Sequence, residues 1–448
     1  MATLVTSLSG WGRYPVLSCE LERPERYADL RPSTAPMIAR GQGRSYGDAA
    51  LNENGRVMLT ERVDRFLEFD AENGILRAEA GATLADILPV IVPRGWFLPV
   101  TPGTRFLSLG GCVAADVHGK NHHHDGSFGE HVLALEMILA DGDRVKCSPA
   151  ENPELFWATV GGMGLTGIIG EVTLSLTRIQ NAAMLVRHHR ADNFEQLFQL
   201  LQDPAIDDRY AVAWIDTMAS GAQMGRGIAM YGHHAAAADL PPDFKQNVLS
   251  KPGRSLPFDF PDWALNASTI AAFNSRYYRI EGSKQSPFVC HYDPYFYPLD
   301  RIGQWNRLYG KRGFVQYQCV IPTAAAYHGL QELLQALAAS RLPSFLAVLK
   351  RMGAQGRGLL SFPLAGYTLA LDMPVRDAGL FTLLDKLDQI VLRHGGRIYL
   401  AKDARLSAES FRAMYPRYAE WLSIKQAVDP AERFSSSLAR RLRIGEPA

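Results

Sequence analysis

The sequence predicts an α+β protein built on two sheet-containing regions, and three observations carry that reading. Glycine is dense in the first 178 residues, in loops set between short apolar strands, without a long parallel βαβ alternation. Past residue 179 the glycine motifs thin out, and aromatic strand-like runs accompany amphipathic helices, the pattern of a second, antiparallel sheet. A chain of 448 residues is also too long for one ordinary core and comfortable for two.

Taken in order, PMIAR and RVMLT read as strands on either side of the glycine-rich turn GQGRSYGDAALNENG. FLEFD and ILRAEAGAT read as further strands. LADILPVIVPRG has helical spacing and stops at Pro-Arg-Gly. HVLALEMILADGDRVKCS predicts a hairpin turning at Asp141-Gly142. PELFWATVGGMGLTGIIGEVTLSLT passes from a short helix through glycines into a strand. NFEQLFQLLQD and AYHGLQELLQALAAS read as helices, and RYAVAWIDTM, FVQYQCVIP, FLAVLKRMG and GYTLALDMPV as strands. Residues 233–290, rich in proline and polar side chains, are expected to form a long loop or lid. The end, from GRIYLAKD onward, reads as a strand followed by a helix. These elements divide the chain at 1–178, 179–396 and 397–448.

Lys+Arg (47) and Asp+Glu (46) nearly cancel, so no global electrostatic footprint for nucleic acid is present. The five cysteines are scattered and form no CxxC pair, which argues against a disulfide framework or a zinc site and for a reducing compartment. The first residues lack the pattern of a signal peptide, and no charge-free run of 18 apolar residues occurs. A cytoplasmic location, or a peripheral one on the inner membrane, is expected.

Three motifs carry chemistry. In RGQGRSYGD, Arg40 to Asp48, three glycines and a serine lie between two strands. Such a loop can turn backbone N–H groups onto a pyrophosphate; it reads equally as a tight surface turn. It is not a Rossmann GxGxxG. In residues 101–132, Gly110-Gly111 permits close approach of backbone to a ligand, and His118-Gly119-Lys120-Asn121 sets polar side chains nearby. His122, His123 and His124 read as a solvated loop rather than a metal site, because adjacent histidines rarely converge on one ion. The third motif, ELFWATVGGMGLTGIIGEVTLSL, is weak by itself.

In their order and spacing the three motifs resemble the FAD-linked oxidases that share the fold of vanillyl-alcohol oxidase, the PCMH-type FAD-binding superfamily. Within it the chain is similar to the polyprenylphosphoryl-ribose oxidases, through RSYGD, PGTR, HGKNHH, GSFG, LFWATVGG, GLTGII, QYQ, YLAKD and MYPR. The resemblance implies an FAD domain of two α+β subdomains over 1–178, a substrate domain on an antiparallel sheet with flanking helices, and a C-terminal segment returning to the active site. It implies that Arg40, Gly41, Gly43, Arg44, Ser45 and Gly47 hold the FAD pyrophosphate. It places Pro102, Gly103, Thr104, Gly110, Gly111, Ala115, His118, Gly119 and Asn121 along the cofactor, with Ile168, Ile169 and Tyr399. Tyr46 stands where many relatives carry a histidine bonded covalently to the flavin, which implies non-covalent FAD here. Ala370 and Thr368 stand where the related oxidase has a cysteine and an asparagine.

Oxidation of a sugar hydroxyl by flavin needs an acceptor for the hydroxyl proton and stabilisation of negative charge on the flavin. Lys402, in YLAKD, is the first candidate, against a surface lysine paired with Asp403. Gln316 and Gln318 share a strand face by alternation and suggest a polar pocket or, alternatively, an exposed sheet edge. Lys350 is a candidate for a substrate phosphate or a solvated strand end. His118 is a candidate for the substrate hydroxyl or a structural loop histidine. Tyr46 and Trp214 are weaker candidates, and Trp214 reads more readily as core. The expected partners are a lipid-linked sugar phosphate, an NAD(P)H-dependent short-chain reductase that completes an epimerisation, and a quinone or O2 as electron acceptor. The rival readings are a soluble alditol or aldonolactone oxidase and a non-catalytic flavin-binding scaffold.

Overall fold

A computed structural model describes residues 4–244, 253–376 and 378–446. Two smaller sheets use the first 175 residues. One orders Leu4–Ser9, Val16–Glu22, Arg56–Leu59 and Met37–Arg40, with the last two pairings parallel. The other orders Phe66–Asp70, Ile75–Glu79, Ile168–Ser175, Val132–Ile138 and Arg144–Cys147, all antiparallel. The hairpin turns at Asp141-Gly142, as its sequence predicts, with Gly142 at φ 99°. The glycine-rich loops of the three motifs run between these sheets.

The large sheet has eight antiparallel strands, in the order Phe288–His291, Ala183–Ala191, Gly227–His234, Tyr210–Ile215, Ala347–Met352, Gly366–Pro374, Phe314–Pro322 and Arg397–Ile398. Its two faces differ in chemistry because side chains alternate along each strand. Tyr317, Cys319, Leu349, Leu369 and Leu371 join one apolar core with the helices Phe194–Gln202, Ala326–Ser340 and Ala378–Arg393. The register pairs Gln316 with Asp372, Gln318 with Ala370 and Lys350 with Thr368, so the opposite face carries a row of polar groups.

The expectation of a loop over 233–290 is corrected. Ala267–Gly282 is a helix capped by Asn266, whose side chain accepts from the N–H groups of Ser268 and Thr269. Only Ile270, Asn274 and Tyr278 of this helix are buried, one residue per turn, so its sequence lacks a broad apolar stripe. Arg254–Ser255 pairs with Ile302–Gly303. Part of the expected lid, residues 245–252, lies outside the described residues. The aromatics Tyr292, Tyr295, Phe296 and Tyr297 are core. No described helix is long and apolar enough to cross a membrane, and all five cysteines are free.

Candidate active site

A cleft of about 320 Å³, in the range of small-molecule sites, separates the glycine loops from the polar face of the large sheet. At one end lies the first motif. The N–H groups of Gln42, Gly43, Arg44 and Ser45 donate to no group among the described residues, while Tyr46 N–H is bonded to Ala401 O at 3.0 Å. Gly43 has φ +60°, and a Cβ on Gly41 would fall 2.0 Å from Ser108 Oγ. Consecutive free N–H groups on a loop stripped of side chains form an anion cradle, and they fit a pyrophosphate. Burial lowers the Arg44 guanidinium from its ordinary range, and an arginine still keeps its charge.

Gly41, Gly43, Arg44, Ser45 and Tyr46 line the cleft, as do Pro102, Gly103, Thr104, Gly110, Gly111, Ala115, His118, Ile169 and Tyr399. Five expected members do not. Arg40 lies beneath the loop, donating to Ser9 O at 2.7 Å and Ala50 O at 3.2 Å and filling the space a Gly43 side chain would take. Gly47 is pressed against the Asp403 carbonyl. Asn121 donates to Pro99 O at 2.7 Å and to Asp125, and Gly119 packs on Thr101 and Asn121. Ile168 points away from Ile169 by strand alternation and belongs to a separate core with Met37 and Ile138.

The other end of the cleft is set by the sheet. Gln316 donates to Asp372. Gln318 Nε2 donates to His118 Nε2 at 2.9 Å and lies 3.2 Å from Thr368 Oγ1. His118 Nδ1 is buried without a partner among the described residues. Both glutamines are buried, so the exposed-edge alternative is excluded. Ala370 lines the cleft beside Val348 and Lys350.

Lys402 enters from a turn that follows the last strand. Tyr399 N–H donates to Gln318 O and Lys402 N–H to Tyr399 O, each at 2.9 Å, and Tyr399 OH donates to Ala115 O at 2.7 Å. The Lys402 ammonium sits over the Tyr46 ring, 4.0 Å from its centroid. It is not paired with Asp403, which faces Arg441 at 2.8 Å, and Arg441 also holds Asp48 at 2.7 Å. The surface-lysine alternative is thus overturned, because the carboxylate beside it in sequence is turned toward the C-terminal helix.

Burial dominates the electrostatics. It pushes the Lys402 ammonium below its ordinary range against the opposing charge of Asp372, and it pushes the Asp372 carboxyl up. Lys350 is pushed down to about 8 by burial and has no ion pair among the described residues, so it is a cleft cation rather than a solvated strand end. Burial, with Lys350 next, holds the His118 imidazole well below its ordinary value, hence neutral. The Tyr46 phenol is pushed well above its ordinary value by burial.

Two further expectations change. Trp214 pairs with Val348 on the correct face but lies one strand farther out. There the helix Ala267–Gly282 covers it, with Tyr277 at 4.8 Å between ring centroids. The histidine run is not a solvated loop. His122 is buried and accepts from Gly353 N–H at 3.0 Å, and His123 meets Asp208 O at 3.2 Å; His124 alone is exposed. No group of three metal-ligating side chains occurs among the described residues. Asp372 and Arg441 are functional-site neighbours that the sequence reading missed. A lone acid in the apolar run GYTLALDMPV was the available signal for the first.

Comparison with known proteins identifies the family. The family described as FAD binding domain matches residues 26–148, and the family described as D-arabinono-1,4-lactone oxidase matches residues 314–442. The chain is 36% identical to decaprenylphosphoryl-beta-D-ribose oxidase of Mycolicibacterium smegmatis, over 99% of this chain and 98% of that one. It is 34% identical to an uncharacterized protein of Streptomyces coelicolor, over 80% of this chain and 99% of that one. A shorter similarity, 34% over 23% of this chain and 20% of the other, links it to human delta(24)-sterol reductase. The chain therefore belongs to the FAD-dependent oxidoreductase family that includes decaprenylphosphoryl-beta-D-ribose oxidase.

Proposed function

We propose that this enzyme oxidises the C2 hydroxyl of a polyprenylphosphoryl-β-D-ribose to the 2-keto sugar. The observation that carries the reading is Lys350, a half-buried cation without a counter-charge among the described residues, in the same cleft as Lys402. A phosphate on the sugar satisfies Lys350 and places the ring toward Lys402, Gln318 and His118. Bound FAD supplies the acceptor for the hydride that leaves the sugar carbon. Lys402, with its proton affinity lowered by burial, takes the hydroxyl proton at Nζ. His118 Nδ1, a donor while Nε2 accepts from Gln318, is free to orient a sugar oxygen. The Gly41–Ser45 cradle is assigned to the pyrophosphate, and the residues along the cleft to the rest of the cofactor.

FAD is held without a covalent bond in this reading. A phenol as strongly buried as Tyr46 stays protonated and is a poor nucleophile. Acid precipitation should leave a yellow supernatant; a yellow pellet refutes the point. Residues 1–178 form the FAD domain, 179–396 the substrate domain and 397–448 the returning segment. An NAD(P)H-dependent short-chain reductase then returns hydride to the opposite face, giving the arabinose epimer, while the two electrons pass to a quinone or O2.

A second reading, oxidation of an alditol or aldonolactone, is favoured by the match over residues 314–442. Anaerobic absorbance decides between them. Bleaching by the lipid-linked ribose, and slow or no bleaching by free alditols and lactones, is expected. The reverse ranking refutes the proposal.

A further inference from the structure

A second cavity borders the flavin cleft through Trp11, Arg44 and Trp305, and its outer wall is Ser255 with Ile302 to Gln304. The wall is built by the pairing of Arg254–Ser255 with Ile302–Gly303, and Leu256 N–H donates to Gly303 O at 2.9 Å. The segment that builds this wall, with the helix after it, exposes several large apolar side chains. Trp263 is 74% exposed and Phe258 63%; Phe273, Ile280 and Ile302 are exposed as well. Trp263 stands at the start of the helix Ala267–Gly282, its carbonyl accepting from Asn266 Nδ2 at 3.0 Å. Phe273, Arg276 and Ile280 then share one outward stripe at i, i+3 and i+7. Phe345 packs between this helix and the turn Trp305–Tyr309 that follows the strip, its ring 5.0 Å from Phe273 and 6.4 Å from Tyr309.

The charge of this face is one-sided, although the whole chain is nearly neutral. Arg254, Arg276, Arg279, Arg301 and Lys311 are exposed and have no acidic partner among the described residues. The acids of the same region are taken: Asp259 by Arg13 at 2.6 Å, Asp262 by Arg312 at 3.3 Å and Glu281 by Lys284 at 2.6 Å. Exposed Trp, Phe and Ile among unpaired Arg and Lys match the interface of an anionic bilayer, where aromatic rings sit at headgroup depth and cations meet lipid phosphates. Exposed large apolar side chains gathered among unpaired charges mark an interaction site.

We infer that this face docks the enzyme on an anionic lipid surface, with the second cavity opening toward the membrane. The docking partner follows from the surface alone; its purpose, delivery of a lipid-borne sugar to the cleft, rests on the proposed function.

The test is sedimentation of the FAD-loaded protein with phosphatidylcholine vesicles, with and without phosphatidylglycerol. Binding only to the anionic vesicles, reversed by salt, is expected. Each of Arg254→Ser and Arg301→Ser should weaken it about fivefold. The pair Phe258→Ser, Trp263→Ser should weaken it about tenfold or more, with the flavin spectrum unchanged as the control for folding. No binding to anionic vesicles, or binding that neither set of variants alters, overturns the inference. So does self-association that the same variants abolish without vesicle binding, which would assign the face to a second copy. Flavin bleaching by the lipid-linked ribose in detergent reads the chemistry separately, so the docking face and the proposed reaction fail independently.

Discussion

Gly47→Ala tests whether the phosphate loop and the Lys402 turn are mechanically one unit. A Cβ at position 47 would lie 1.6 Å from the Asp403 carbonyl oxygen and 2.5 Å from its carbon. Both are backbone atoms and cannot swing aside. Ordinary contact begins at about 3.4 Å, so the two segments must part by about 1.8 Å. That separation breaks the 3.0 Å bond from Tyr46 N–H to Ala401 O and moves Lys402 relative to the cleft. A misplacement of about 1 Å can cost about 10²-fold in rate. Stopped-flow anaerobic flavin reduction should therefore fall by about 10²-fold or more. Overpacking of this kind also destabilises by about 1–3 kcal/mol, which thermal unfolding reads. Rates within a few-fold of the parent enzyme, in a folded and FAD-loaded variant, would refute the coupling.

Three other outcomes are expected. Lys402→Met should retain FAD by absorbance yet reduce it at least about 10²-fold more slowly, because the proton acceptor is gone. Lys350→Met should raise KM for the phosphorylated substrate with little change in kcat. In the parent enzyme kcat/KM should fall as pH rises through about 8, since the free-enzyme ammonium loses its proton there and with it the phosphate contact; the variant should lack that limb. Arg441→Met should leave Asp48 and Asp403 without their shared cation and cost about 3–5 kcal/mol in chemical denaturation.

The strands were legible because alternation survives in FVQYQCVIP and GYTLALDMPV even where both faces are buried. The polar face could be read from Gln316 and Gln318 alone. What alternation does not give is the element that covers a face. Trp214 and Val348 are register partners, yet Trp214 lies one strand farther out and under the helix at 267–282. That helix was invisible because one buried residue per turn leaves no apolar period. Lys402 lies on a turn without periodicity, so its candidacy rested on resemblance to a family, not on pattern. The glycine loop was readable as a ligand cradle, but which of its members face the ligand was not. Arg40 and Gly47 have the expected residue types and spend them on bracing the loop from behind.

The bridge from Asp48 through Arg441 to Asp403 spans 393 residues of sequence. It imposes an order in time. The first loop leaves the ribosome long before the helix Ser437–Arg441 exists, so its carboxylate waits without this partner while 393 further residues are made. The turn carrying Lys402 is likewise a late arrival against Tyr46. A chain made only as far as the cradle therefore lacks the turn that carries Lys402, and the joined cleft waits on the arrival of Arg441.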